Sequence, residues 1–110
     1  MIVLPFPPAS LSGHAKGHWR DKSGPTSTLR EEAYHATRKA KISVPKTGDV
    51  LISVRFVPPD RRGDRVNFPN RMKPYFDGIA DALGINDARF LPSFAFASPE
   101  KPGRVEVEIL

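Results

Sequence analysis

The sequence contains no cysteine. Disulfides and thiolate metal sites are therefore excluded, and the chain suits a reducing cytoplasm. It has no run approaching the roughly 18 apolar residues of a membrane span. Its opening, MIVLPFPPAS, is too short and too proline-rich for a signal peptide. The expectation is a soluble, cytoplasmic protein with no membrane partner. Histidine is sparse: His14, His18 and His35 are too scattered to form a metal site. Nothing resembles a Walker loop, a metalloprotease helix or a serine nucleophile elbow, and there is no repeat or low-complexity segment. Acidic residues are also in deficit, with 12 Asp and Glu against 17 Lys and Arg, for a formal charge of +5. A basic excess favours a polyanion partner, because each phosphate neutralised releases a counterion. The plainer reading is a basic surface that maintains solubility.

What is present fits one domain. The chain has 110 residues, 39% of them hydrophobic, enough for a modest core. A dimer interface could add to its stability. Met1–Phe6 reads as an opening strand, and Pro5, Pro7 and Pro8 suit an edge position. Residues 9–27 lack periodicity and read as a loop, with Trp19 and Arg20 in a basic stretch. A basic loop with an aromatic can follow a phosphate backbone and stack on a base; equally, Trp19 can anchor the loop in the core. Thr28-Leu-Arg-Glu31 has capping-box form. Leu29, Ala33, Ala36 and Ala40 then mark one face of a helix that Val44-Pro45 ends.

Asp49–Val57 alternates as a half-buried strand. Arg71–Leu83 reads as a second helix, with Asn70 as cap, Pro74 in the first turn and Gly84 as terminator. Met72, Phe76, Ile79 and Leu83 form its apolar face. Strands follow near Phe90–Ala97 and Arg104–Leu110, with Ser98–Gly103 as a turn joining an antiparallel pair. The expected fold is α+β, a small mixed sheet of about four strands with two helices on one side, in the order strand-helix-strand-helix-strand-strand.

The chemistry concentrates between Pro58 and Phe90. Lys73, Asp77 and Asp81 are spaced i, i+4, i+8 along one polar side of the second helix. Lys73 lies in the first turn, where a cation opposes the helix dipole, and a lysine there is well placed to meet an anion. Asp60, Asp64 and Asp87 lie outside the helix. Two carboxylates aimed at one point make a hard-oxygen site suited to Mg²⁺. Such a metal polarises a phosphate and activates water, and a nearby lysine stabilises charge developing on the phosphate.

At these residues the sequence resembles the RusA family of Holliday junction resolvases. The resemblance rests on Leu-Pro-Phe-Pro-Pro at residues 4–8, Trp19-Arg20, Pro-Asp-Arg-Arg at 59–62, Lys73 with Asp77 one turn later, and Asp87 beyond the helix. It spans nearly the whole chain, and residues 58–90 carry its specific part. The family's acidic Asp-x-Asp-Asn element departs here to Asp64-Arg-Val-Asn67-Phe-Pro-Asn70, without the second aspartate. The resemblance implies a bacterial or phage-encoded homodimer that resolves four-way DNA junctions by Mg²⁺-dependent hydrolysis, with Mn²⁺ as a substitute. It implies Asp64, Asp87 and Lys73 as catalytic residues, with Asp64 and Asp87 as metal ligands and Asn67 and Asn70 as secondary ones. Arg61, Arg62, Arg65, Arg71, Trp19 and Arg20 would hold DNA, and Asp77 would orient Lys73. The alternatives are a branched-DNA-binding module whose metal site is impaired, and a structural dimer with no nucleic-acid role. Helix two spans about 20 Å at 1.5 Å per residue, so Asp64 and Asp87 can meet only if the flanking segments fold back or a second subunit contributes.

Overall fold

The computed structural model describes residues 1–9 and 19–110, with side chains described for 1–9 and 27–110. Four strands and two helices follow the expected order: β1 (Ile2–Leu4), α1 (Trp19–Ala40), β2 (Val50–Val57), α2 (Lys73–Leu83), β3 (Phe90–Phe96) and β4 (Arg104–Ile109). A 3-10 helix, Arg65–Met72, leads into α2, and a short one, Asp87–Arg89, leads into β3. The architecture is α+β, with one mixed sheet.

The sheet order is β1-β4-β2-β3. The alternation read from β2 is its burial pattern: Val50, Ile52, Val54 and Phe56 are buried, while Leu51 and Arg55 are exposed. Ile52, Val54 and Phe56 of that row join Leu29 and Ala33 from α1 and Tyr75 and Ile79 from α2 in one core, so both helices cover the same face. β1 is an edge strand, as its prolines suggest, and pairs antiparallel with β4.

Three local expectations are corrected. The segment Ser98–Gly103 does not close a hairpin. β3 pairs parallel with β2, while β4 pairs antiparallel with the other side of β2. A strand-helix-strand crossover returns the chain to its starting end, which makes β2 and β3 parallel. The linker then passes across the end of β2, where Ala97 N–H donates to Phe56 O and Glu100 N–H to Pro58 O.

The second correction concerns α1, which begins at Trp19 and includes residues 19–27. Thr28 lies inside the helix, so the capping-box pattern marks no boundary there. The side chains of Trp19 and Arg20 fall outside the described ones, as does the rest of the expected loop at residues 10–18. The helix also stops earlier than Val44-Pro45, because Lys41 turns to φ +53°.

Third, α2 starts at Lys73. Asn70 sits within the 3-10 helix, and the residue before α2, Met72, gives no side-chain cap. Pro74 falls in the first turn, where its missing N–H has no intrahelical partner to lose.

The helices approach closely at Gly78. A Cβ added there would meet Arg30 O of α1 at 2.2 Å and Ala33 Cβ at 3.0 Å. On the same buried side, Tyr75 is fully enclosed, and its hydroxyl donates to Pro5 O at 2.6 Å. Burial pushes the pKa of that hydroxyl upward.

Candidate functional site

Lys73 opens α2, and Asp77 follows one turn later on the same face. The Lys73 Nζ donates to Asp77 Oδ1 at 3.0 Å. It also donates to Asp87 Oδ2 in a short ion-paired hydrogen bond. One ammonium group therefore joins two carboxylates from separate elements.

The approach of Asp87 depends on how α2 ends. Gly84 adopts φ +69°, a left-handed conformation that glycine enters without steric cost. Gly84 N–H donates to Asp81 O, and Ile85 N–H to Ala80 O, which completes the helix end and reverses the chain. The Asn86 side chain then accepts from Ala88 N–H at 2.8 Å and caps the turn that Asp87 begins. The segment after α2 thus folds back along the helix, as a shared site requires.

The electrostatics follow from these contacts. Hydrogen bonds that Lys73 donates to Asp87 first, and then to Asp77, raise its pKa, so this side chain is a cation at neutral pH. The hydrogen bond from Lys73 holds the Asp87 carboxyl below the usual carboxylate range. A cleft of about 300 Å³ lies alongside, lined by Asp77, Asp81 and Asp87 with Arg30 at its rim. Asp81 is engaged by α1, since Arg30 Nε donates to its Oδ2 at 2.8 Å. Sequence reasoning left Arg30 out of the site. No spacing rule links it to Asp81, because helix packing brings them together.

Asp64 has a different setting. Its Oδ1 accepts from Val66 N–H at 3.3 Å, capping the 3-10 helix. Among the described residues it makes no ion pair with Lys73 and no hydrogen bond to Asp77 or Asp87. Asn67 and Asn70 lie within that 3-10 helix, Asn67 half-buried and Asn70 exposed. No hydrogen bond among the described residues ties either to the Lys73 cluster. The structure thus brings Lys73, Asp77 and Asp87 together, and it does not join Asp64 to them through a direct contact.

The arginines divide into two groups. Arg61, Arg62 and Arg65 are exposed and make no ion pair among the described residues. Arg71 is only 7% exposed. Its guanidinium lies 4.9 Å from the Phe68 ring centroid and 5.6 Å from that of Phe6, and donates to Pro7 O at 3.2 Å. Burial lowers its pKa. The expectation that Arg71 grips DNA directly is therefore corrected to an internal role, pinning the proline-rich segment after β1 to the 3-10 helix. Its long apolar stem and flat head suit a slot between aromatic rings, and sequence periodicity carries no sign of this.

No three His, Cys, Asp or Glu side chains among the described residues are grouped to hold a metal. The donor set that is present is Asp77 with Asp87, two hard carboxylates within reach of one ammonium group. Mg²⁺ is commonly held by one or two carboxylates, with water and substrate phosphate completing its shell. The chemistry of this pair fits that ion.

No family model matches the chain. A protein of Xylella fastidiosa (strain Temecula1), described only as uncharacterized, is 40% identical over 94 residues. The match covers 82% of this chain and 61% of the relative, so the chain spans about three fifths of that protein's length. Most of this sequence therefore has a counterpart in a bacterial protein. No helix among the described residues is long and apolar enough to cross a membrane.

Proposed function

We propose that this chain is a RusA-like, Mg²⁺-dependent endonuclease that acts as a homodimer on four-way DNA junctions. The observation that carries the reading is the Lys73 ammonium held between Asp77 and Asp87. It supplies a fixed cation for a phosphate next to a hard-oxygen pair. The bacterial relative and the exposed Arg61, Arg62 and Arg65, which make no ion pair among the described residues, are consistent with a DNA substrate in a bacterial or phage setting.

In this reading Asp77 and Asp87 hold the metal, with Asp77 taking the place first expected of Asp64. When bound there, Mg²⁺ would polarise the scissile phosphate and lower the pKa of water beside it. Lys73, as a cation, stabilises charge developing on the phosphate oxygens. Asn86 positions Asp87 by capping its turn. The exposed arginines hold the flanking backbone as cations.

A second reading is favoured by a specific observation. Lys73 already has two carboxylate partners, and among the described residues no three acids are grouped so as to hold a metal. A branched-DNA-binding module that retains the fold but does not cut is consistent with that.

The test incubates the purified chain with an end-labelled four-way junction across a range of Mg²⁺ and Mn²⁺. Paired nicks on opposed strands are expected, and Asp87→Asn should reduce cleavage at least a hundredfold while still shifting the junction on a gel. Binding with no nick at any metal concentration would overturn the nuclease in favour of the module. Absence of any shift at low salt would remove DNA from both readings.

A further inference from the structure

A second cleft, of about 540 Å³, opens beside the end of β3 and is lined by Arg61, Arg65, Phe96, Ala97, Ser98 and Pro99. Phe96 is 43% exposed although it lies on the helix-facing side of the sheet, in register with buried Phe56. Its ring is stacked on Phe56, with centroids 5.5 Å apart and planes 16° from parallel. Phe94 stacks on the same ring at 6.0 Å, and Phe68 supports Phe96 from the 3-10 helix at 6.3 Å. The Phe96 ring is thus held on its inner side and open on its outer side. Arg61, from the segment between β2 and the 3-10 helix, and Arg65, the first residue of that helix, line the same cleft with no acid paired to either among the described residues. No acidic side chain among the described residues lines it.

A flat apolar ring fixed in place, flanked by two cations without partners, is complementary to one kind of ligand. It needs an aromatic face to stack on and an anion a few ångströms away, and a nucleotide supplies both. A base inside a duplex has its faces covered by its neighbours, so only an unpaired base can use the platform. We infer that Phe96 with Arg61 and Arg65 forms a subsite for an unpaired nucleotide, where the base stacks on Phe96 and the phosphates meet the guanidinium groups. This rests on the DNA-binding reading above and extends it, because opening a junction at its branch point frees bases there from their stacking neighbours. The subsite would let the protein favour branched over continuous DNA through a side chain that never touches the scissile bond. A second copy of the chain paired along the β3 edge would cover the same ring, and the test separates that occupant.

The experiment measures fluorescence anisotropy of a labelled oligothymidylate and of a blunt duplex, each titrated with the full chain at several salt concentrations. Phe96→Leu keeps an apolar side chain for the core but removes the ring. It should weaken oligothymidylate binding about tenfold, consistent with the stacking energies of single bases, and leave duplex binding within about twofold. Phe96→Tyr keeps the ring and should bind like the wild type. Replacing Arg61 and Arg65 together by Gln should weaken both probes and flatten the salt dependence. Equal binding by Phe96→Leu and the wild type overturns the subsite, as does equal loss in the Leu and Tyr variants, which would mark a packing role. A shift from dimer to monomer in sedimentation of Phe96→Leu would assign the ring to a second copy and also overturn it. If the wild type cuts or shifts a junction while Phe96→Leu is indifferent, only the subsite fails. If it binds neither probe and no junction, the DNA reading itself falls.

Discussion

Lys73 is the residue on which the candidate site turns. At the first position of α2 it faces the positive end of the helix dipole, which alone would disfavour its charge. Two carboxylates reverse that, and the hydrogen bond that Asp87 accepts from Lys73 is the largest contribution. The pairing has a defined pH behaviour. Asp87 titrates below its ordinary range in the folded chain, so its share of stability is present above the unfolded carboxylate pKa and is lost as pH falls through the folded one. The Lys73 share behaves in the opposite sense, being complete below the unfolded lysine pKa and lost as pH rises through the raised folded value. Both groups are therefore charged across the neutral range. Lys73→Met should move the Asp87 titration upward, since the cation that depresses it is gone and Asp77 remains nearby. Carboxyl carbon shifts followed by NMR between acid and neutral pH would report this, and an unchanged midpoint would mean that the ion pair does not form in solution. The i, i+4 spacing made the Lys73–Asp77 contact readable from the sequence. The Lys73–Asp87 contact was less so, because it depends on a left-handed Gly84 and an Asn86 cap acting together to send the chain back.

The elements themselves were readable wherever apolar spacing dominates. β2 alternates as its sequence does, and Ile79 and Met72 are buried as the α2 stripe indicates. Tyr75 is more deeply enclosed than Phe76 from the expected stripe, because α1 crosses on its side and Pro5 O satisfies its hydroxyl. Element boundaries were less readable. Residues 19–27 carry Gly24 and Pro25, which ordinarily punctuate loops, yet they continue α1. The 3-10 entry to α2 was also missed, and with it the local use of the Asp64 carboxylate as a cap. The contact between α1 and α2 gives a sharp expectation. Gly78→Ala should destabilise the fold by about 3 kcal/mol, toward the upper range for overpacked sites, because the added methyl meets a backbone carbonyl that has little room to move. Urea unfolding would measure it, and a loss below about 0.5 kcal/mol would show that the helices separate more readily than their spacing implies. Arg30, whose carbonyl blocks that methyl, also reaches Asp81 at the rim of the candidate site. A shift of α1 should therefore disturb the cleft as well.

At the scale of the whole molecule, charge and topology lead to different consequences. The formal charge of +5 and the unpaired arginines predict binding to DNA that weakens steadily with salt. For duplex DNA the logarithmic slope should be about −0.9 for each phosphate contacted, and Arg62→Gln should reduce its magnitude by about one contact's worth. Filter binding between 50 and 200 mM salt, as about the useful range, would measure both. A slope near zero would mean that the basic surface serves solubility alone. The strand order was the part least readable in the sequence. Neighbours in the chain are not neighbours in the sheet: β3 and β4 are joined by a short linker, yet β2 lies between them. Hydrophobic patterning identifies which face of a strand is buried, but not which strand it adjoins, because that choice is made by contacts across the whole chain.

The position of β4 bears on how the protein is made. It lies between β1 and β2, although it is synthesised after both. While the chain is emerging from a ribosome, β1 has no hydrogen-bonding partner and β2 has one bare side until β4 is released. A nascent chain halted before Arg104 would leave backbone groups exposed along two strands, a state open to chaperones and proteases.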